Sequence, residues 1–569
     1  MQPYVLAPAQ GSDHEDEWIR LGIEAHVAGK LPDAQRHYQH ALRLNPRHAL
    51  ATQNLAIVFA QSNMINEGLL TIERAQMFDG VHGVIQVNKA FMCLEADRID
   101  DALAAAEKAM AMCPDVPSSP AADHGFVMSR FAMAMTAATA GMPEKSLAAY
   151  AEMLTKDPKH AMAGPNACFV QTLTPSTPAD LLVQRQKWYA VNKYTGHRRS
   201  HPNDRSPDRV LKVGYVSGDF KTHSASMIFS NVLCHHDRMH IEPFYYSTLA
   251  VDENADGMTK QFKAQGNWRD ISTLTDEQAD ELIRKDQIDI LVDLTGHTNG
   301  GRLTLFTRKP APVQVTAWGF AHGTGCPEID YFFADPIAVP ADERPHYAEK
   351  IYDLPSIVTY QPPTDYDLKG ISALPYHQHE YITFGSYARY EKLSKECLAV
   401  FAEILRRVPD SKLQFKDHAF RRPYSIRRIL NAMPDIAPER LLFSISTSHP
   451  DHLLAYQQAD LILDPFPHGG GVVALETLYM GVPMVTLYGT QPSGRTSSSV
   501  LTQMGKTDWI AKTTEEYVEK AVAMAKDIPA LGKVRKTLRE EFLHCPVVTN
   551  YCTQVEAAYR TMWQTWVTA

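Results

Sequence analysis

The chain has 569 residues, 44% of them hydrophobic and 21% charged, with a net charge of −9 at neutral pH. That length exceeds a single core and predicts three or four domains, while the mild acidity argues against nucleic acid or an anionic membrane as the general partner. The opening MQPYVLAPAQGSDHEDEW has no basic stretch leading into an apolar one, and no uncharged run approaches the ~20 residues of a membrane span. The eight cysteines are scattered without a C-x-x-C, the pattern of reduced thiols in a cytoplasmic protein.

Residues 1–16 read as a tail, and residues 17–195 as a repeat array. Trp18, Leu21, Gly22, Ala25, Ala34, Tyr38, Ala41 and Pro46 reproduce the tetratricopeptide pattern. A shift of about 34 residues gives Leu55, Ala56 and Ala75, and another gives Ala90, Ala102, Ala109 and Pro114. A fourth copy, with Ala134, Tyr150 and Pro158, is delayed by the loop DVPSSPAADH, and a partial fifth begins near Asn166. Two amphipathic helices per unit cannot bury their apolar faces alone, so the units must stack into an α-helical superhelix with a curved binding face. Asn54, Asn88 and Asn166 stand two residues before the small residues Ala56, Ala90 and Cys168 of their repeats. Amides both donate and accept, so a row of them would hold an extended peptide acceptor by its backbone. The alternative is that each caps or bridges helices within its own repeat.

TGHRRSHPNDRSPD supplies a linker at 196–208, after which short β-rich runs alternate with helical stretches over 209–360. RVLKVGYVSGDF, IEPFYYSTL, IDILVDLTG, VQVTAWGF and IDYFFADP predict a parallel, doubly wound sheet, whose chemistry lies beyond the carboxyl ends of the strands. Two such loops carry candidates: SGDFKTHSAS with Asp219, Lys221 and His223, and DLTGHTNGGR with Asp293, His297 and Arg302. Histidine is the side chain best matched to taking a proton near neutral pH, although a lone loop histidine is more often a structural hydrogen-bonder. CHHDRMH at 234–240 has metal-binding residue types without regular ligand spacing and reads as a solvated loop.

Residues 361–380 form a crossover containing Asp365-Tyr366-Asp367; this D-x-D follows Gln-Pro-Pro-Thr instead of a strand, so no metal is expected there. A second alternating lobe spans 381–548, with strands in YITFGSYARYEKLS, SKLQFKD, RLLFSIS, DLILDPFP and VPMVTLYG, and a helix closes the chain at 549–569. In LDPFPHGGGVVALETLYM, Gly469, Gly470 and Gly471 separate a buried strand from a helix. A helix start offers unpaired N–H groups at the positive end of its dipole, and bare glycine backbone lets a phosphate approach them. Glu476, one turn further on in an apolar run, is either a carboxylate that accepts from ribose hydroxyls or one that faces solvent, and Lys392 is a candidate to neutralise a diphosphate in place of a metal.

The repeat array followed by VGYVSGDFKTHSA, DILVDLTGHTNGGR, LDPFPHGGGVVALETLYMGVPMVTL and GRTSSSVLTQMG resembles the protein O-GlcNAc transferases, from about Trp18 onward. The resemblance implies a GT-B fold of two doubly wound, Rossmann-like lobes. It also implies inverting, metal-independent transfer of N-acetylglucosamine from UDP-GlcNAc to serine or threonine hydroxyls of proteins, with no cofactor. By position it places His223 beside donor and acceptor and makes Lys392 the diphosphate-binding lysine; for the hydroxyl proton His223 is the first candidate, with Asp293 and a donor phosphate oxygen as the alternatives. It sets His452 near the uridine with Thr447 and His449, and Glu476 at the ribose. Gly319, with Gly469 to Val473, completes the donor group. Animal members have His-Thr-Thr where this chain has Gly471-Val472-Val473, and they carry more repeats and a larger insertion between the lobes; this chain looks like a compact, bacterial-type member. The competing expectations are a related hexosyltransferase acting on asparagine or another acceptor, and a repeat-based scaffold with little activity.

Overall fold

A computed structural model describes residues 14–77, 83–115, 120–250, 256–363, 370–445 and 447–569. The chain divides into two compact units, 1–163 with 421–426, and 164–420 with 427–569. The Asp365-Tyr366-Asp367 stretch lies outside the described residues.

Among the described residues, the first unit holds four helical hairpins: α1 (His14–Val27) with α2 (Leu31–Leu44), α3 (Ala49–Gln61) with α4 (Ile65–Ala75), α5 (Gly83–Glu95) with α6 (Ile99–Met112), and α7 (Pro120–Thr139) with α8 (Pro143–Leu154). The small residues of the repeat pattern sit at the crossings. Ala34, Ala41, Ala56, Ala90, Ala102 and Ala109 are fully buried, and a β-carbon on Gly22 would fall 2.5 Å from the Tyr38 ring. Where the sequence offers only a partial fifth repeat that fades in TLTPSTPAD, the chain forms α9 (Ala163–Gln171) and a second helix, α10 (Pro178–Asn192), both in the second unit. The 196–208 segment is likewise tied to that unit, through Arg198 to Glu328, Arg199 to Asp280 at 2.9 Å, and Asn203 to Asp289 at 2.8 Å.

Among the described residues, the second unit holds two sheets whose strands all pair in parallel. The first comprises β1 (Leu211–Ser217), β2 (Ile241–Ser247), β3 (Asn267–Asp270), β4 (Ile290–Asp293), β5 (Val313–Thr316), β6 (Tyr331–Ala334) and β7 (Lys350–Asp353), in the order β3-β2-β1-β4-β5-β6-β7. The second comprises β8 (Thr383–Ser386), β9 (Lys412–Lys416), β10 (Leu441–Ser444), β11 (Leu461–Leu463), β12 (Met484–Leu487) and β13 (Ile510–Ala511), in the order β10-β9-β8-β11-β12-β13. Central strands such as β4 and β8 are buried along their whole length, as parallel strands covered on both faces must be.

Strand order reverses between β1 and β4 in the first sheet and between β8 and β11 in the second. Loops leaving adjacent strands in opposite directions open a crevice at that point. The crevice of the first lobe is therefore flanked by the Asp219–His223 and Asp293–Arg302 loops, and that of the second by the Lys392 segment and the glycine loop. The lobes are stitched together by a bidentate Arg495–Glu343 pair at 2.6 Å and by Ser499 donating to Asp335 at 2.8 Å. The last helix, Tyr551–Thr568, returns to the first lobe, where Trp318 Nε1 donates to Tyr551 Oη at 3.1 Å and Trp563 is buried completely. All eight cysteines are free thiols, and no helix of the described residues is long and apolar enough to cross a membrane.

Candidate active site

The glycine loop is more differentiated than three bare residues suggest. Gly469 N–H is spent on Ser493 O at 3.0 Å, and Gly470 N–H on Asp464 Oδ1 at 2.8 Å. Packing forbids a β-carbon at Gly470, 2.8 Å from the Asp464 carboxylate, and crowds one at Gly469, at 3.1 Å. Gly471 differs. A β-carbon on it meets nothing within 4 Å, and among the described residues nothing accepts from the N–H of Gly471, Val472 or Val473. These three groups open the helix Val472–Tyr479 and converge where its dipole is positive.

Lys392 reaches the same loop, its Nζ donating to Gly469 O at 2.7 Å. Burial pushes its amine down to about 7, with nearby Arg389 adding to the effect and Asp464 opposing it. An anion in front of the helix would favour the charged amine. Asp464, wholly buried beneath the loop, is pushed up by burial and held by Thr486 and Gly470, so it buttresses the turn.

Glu476 is buried too, and its carboxylate is already engaged. His449 Nε2 lies 2.8 Å from Oε1, while His452 Nε2 and Tyr456 Oη each lie 3.2 Å from Oε2. Burial pushes the carboxyl up, but hydrogen bonds and charge from His449 and His452 outweigh it and hold it down to about 2. The acid thus orients two imidazoles, where the sequence suggested an open ribose acceptor. His449 and His452 lie three residues apart on the helix His449–Ala455, which Ser448 caps, so both rings face Glu476. Thr447 precedes them, exposed, with Lys416 Nζ 3.4 Å from its hydroxyl. Lys416 was not singled out from sequence. It ends β9 and is 3% exposed, and a lysine closing a buried strand at the carboxyl edge of a sheet was the available signal.

In the first lobe, His223 caps α11 (Ser224–Leu233), with Ser226 completing a reciprocal capping box. Its Nδ1 lies 3.3 Å from Ala225 N and 3.4 Å from Asp219 Oδ1, and the ring is half-exposed. Burial raises the Asp219 carboxyl, with His223 and Lys221 pulling it back. His223 and Asp219 therefore form an accessible imidazole–carboxylate pair. Asp293 is placed quite otherwise: it is sealed in the core and accepts from Thr295 N, Gly296 N and Thr316 Oγ1. It ties the turn after β4, and nothing of it faces the crevice. His297 and Arg302 serve the same loop, His297 on Thr324 O at 2.8 Å and Arg302 on Asp276 and two backbone carbonyls. Gly319 is a packing glycine, because a β-carbon would fall 1.7 Å from Leu294 O.

The asparagines part company. Asn54 has no exposed surface and lies against Tyr38, because α3 packs against α1, α2, α4 and α5 and is buried from Ala51 through Val58. It cannot touch an acceptor as expected. Asn88 lines a cavity of about 310 Å³ with Phe91, Met92, His124 and Met128, and its Nδ2 has no partner among the described residues. Asn166, partly buried on α9, belongs to the other unit.

The family model described as Glycosyl transferase family 41 matches residues 153–360 and 373–555. A protein of Oryza sativa subsp. japonica named probable UDP-N-acetylglucosamine–peptide N-acetylglucosaminyltransferase SPINDLY is 34% identical over 429 residues, 73% of this chain and 46% of its own length. Its Arabidopsis thaliana namesake is 35% identical over 383 residues, 64% of this chain and 41% of its own. The chain thus spans less than half the length of these curated relatives. The solved structure of a Thermobaculum terrenum O-GlcNAc transferase mutant superposes with a TM-score of 0.77 at 25% identity, covering 98% of this chain and 99% of that one.

Proposed function

Because the chain belongs to glycosyl transferase family 41, we propose that it moves N-acetylglucosamine from UDP-GlcNAc to serine or threonine hydroxyls of polypeptides, with inversion and without a metal at the donor. The observation that carries this reading is the group of three unspent N–H donors at Gly471, Val472 and Val473 beside the Lys392 amine. Charge that develops on a departing diphosphate is stabilised by fixed dipoles and a cation in a water-poor site. In this role Lys392 and the helix start replace a metal, and turnover is unchanged by added Mg²⁺ or Mn²⁺. His449 and His452, oriented by Glu476, line the nucleotide together with Thr447 and Lys416. Glu476 is then a positioning residue.

The acceptor hydroxyl attacks the anomeric carbon on the face opposite the diphosphate, and its proton needs a base. His223 suits that task in one tautomer: its Nε2 has no hydrogen bond among the described residues, and it takes the proton when Nδ1 carries its hydrogen toward Asp219, 3.4 Å away, and gives up the bond it accepts from Ala225 N–H. Asp293, closed in by its own turn, is set aside. Asn88, above an apolar cavity in the repeat unit, is the acceptor-binding amide that we retain. The names of the plant relatives, which specify a peptide acceptor, support this assignment, and the reaction we propose belongs to the cytoplasm.

The test offers the purified chain UDP-GlcNAc, UDP-glucose and GDP-linked sugars with a serine- and threonine-bearing peptide library, read by mass spectrometry. The expected product carries one N-acetylhexosamine, and His223→Ala lowers kcat by ~10²–10⁴ while sparing UDP affinity. Faster transfer of another sugar, modification on asparagine, or no nucleotide binding at all would each overturn the assignment.

A further inference from the structure

The sequence CHHDRMH, expected to be a solvated loop, is not one at its centre. The His236 ring is fully buried, stacked on Tyr215 with centroids 5.9 Å apart, and its Nε2 lies 2.6 Å from Tyr215 Oη. The loop that carries it leaves α11 directly against the last helix of the chain. Cys552 and Glu556 stand one turn apart on that helix and meet the other edge of the ring. His236 Nδ1 is 2.9 Å from Glu556 Oε1, and Cys552 Sγ is 3.7 Å from each of those two atoms. Nothing in local spacing could reveal this, since His236 and Cys552 are 316 positions apart.

We propose that His236 Nδ1, Cys552 Sγ and Glu556 Oε1 form a structural site for a divalent transition-metal ion, zinc in preference, which clasps the C-terminal helix to the first lobe. Ligand atoms about 2.0–2.3 Å from a tetrahedral zinc stand about 3.3–3.5 Å from one another, so the three found here need shift by only a few tenths of an ångström. An imidazole, a thiolate and a carboxylate suit zinc, whereas magnesium and calcium call for oxygen alone. The surroundings also support a bound ion. Tyr215 Oη accepts the ring proton from Nε2 when Nδ1 is on the metal, and its own proton goes to Tyr559 Oη at 3.3 Å. Asp237 N–H donates to Glu556 Oε1 at 2.8 Å and fixes the carboxylate. Without the ion, Nδ1–H bonds to Glu556. On binding, that proton moves to Nε2 as Tyr215 turns its hydroxyl, the Cys552 thiol releases one proton to water, and the site gains a net charge of one. Cys552 and Glu556 are partly exposed, which leaves the fourth position to water. No residue of this cluster belongs to the candidate active site, so the ion has no part in sugar transfer.

The test uses the full-length, untagged protein, stripped with a chelator and dialysed against zinc or cobalt. One zinc per chain is expected by elemental analysis, and cobalt gives tetrahedral visible bands with a thiolate charge-transfer band. Cys552→Ser removes that band and weakens zinc at least about tenfold, and Glu556→Gln weakens zinc but keeps the band. His240→Ala, in the same loop but exposed, changes neither. Both ligand variants nearly preserve side-chain size, and circular dichroism reports whether they fold. Absence of stoichiometric zinc in the parent, or equal zinc affinity in parent and folded Cys552→Ser, overturns the proposal.

Discussion

Lys392 shows how one residue links folding to ligand binding. Its buried amine loses its proton as pH rises through about 7, so the unliganded fold holds fewer protons there than the unfolded chain, and its stability grows with pH above that point. A diphosphate favours the ammonium, so binding at pH 8 takes up a proton, and UDP affinity falls by up to about tenfold per pH unit above 7. Titration calorimetry in buffers of different ionisation enthalpy reads this directly; an affinity flat from pH 7 to 9 would remove Lys392 from the diphosphate. Lys392 and Glu476 stood out in the sequence because a charge beside an apolar loop or inside an apolar helix needs a reason, but the ribose role expected of Glu476 did not foretell its contacts with His449 and His452. Lys416 was not, since its value depends on β9 ending beside Thr447. Asn54 misled for the converse reason: equal places in a repeat do not ensure equal exposure once neighbouring helices close over one of them.

At the scale of elements, the turn between β11 and its helix divides its glycines by task. Gly471→Ala meets no neighbour, but φ −94° with ψ −101° lies outside the regions open to alanine, so a loss of about 1–2 kcal/mol from backbone strain alone is expected in thermal unfolding. The same methyl enters the space reserved for the phosphate, so UDP affinity drops. Gly470→Ala costs stability by another route: its methyl crowds the Asp464 carboxylate at 2.8 Å, beneath the loop instead of in the phosphate's place. If thermal unfolding and UDP titration found Gly471→Ala binding as well as the parent, the phosphate would not lie at this helix start. The apolar runs announced the central strands of both sheets. They missed β3 (NWRD), β7 (KIYD) and the two-residue β13, which are short edge strands, two of them strongly polar, with no hydrophobic pattern to betray them. The crossing residues of the repeats were legible position by position, because only small side chains fit between paired helices.

At the scale of the whole molecule, the chain's end completes its first lobe. Trp563 is fully buried, donates to Ser206 O at 3.1 Å and is capped by the Arg209 guanidinium 4.7 Å from its ring. Trp563→Ala should therefore cost about 3–5 kcal/mol in urea unfolding; a loss under 1 kcal/mol would mean that the helix merely rests on the lobe. This return was not legible, because an amphipathic helix shows that it has a partner without showing which. The order of the sheets was equally hidden, yet it decides the site: reversal at β8 and β11 is what sets Lys392 against the glycine loop. The central claim is that this junction holds the donor's diphosphate, and the most direct measurement is a crystal structure of the full chain soaked with UDP. The account predicts phosphate oxygens within hydrogen-bond distance of the N–H groups of Gly471, Val472 and Val473 and of Lys392 Nζ, with the uracil and ribose toward His449 and His452. A diphosphate bound anywhere else, with those donors left to solvent, would contradict it.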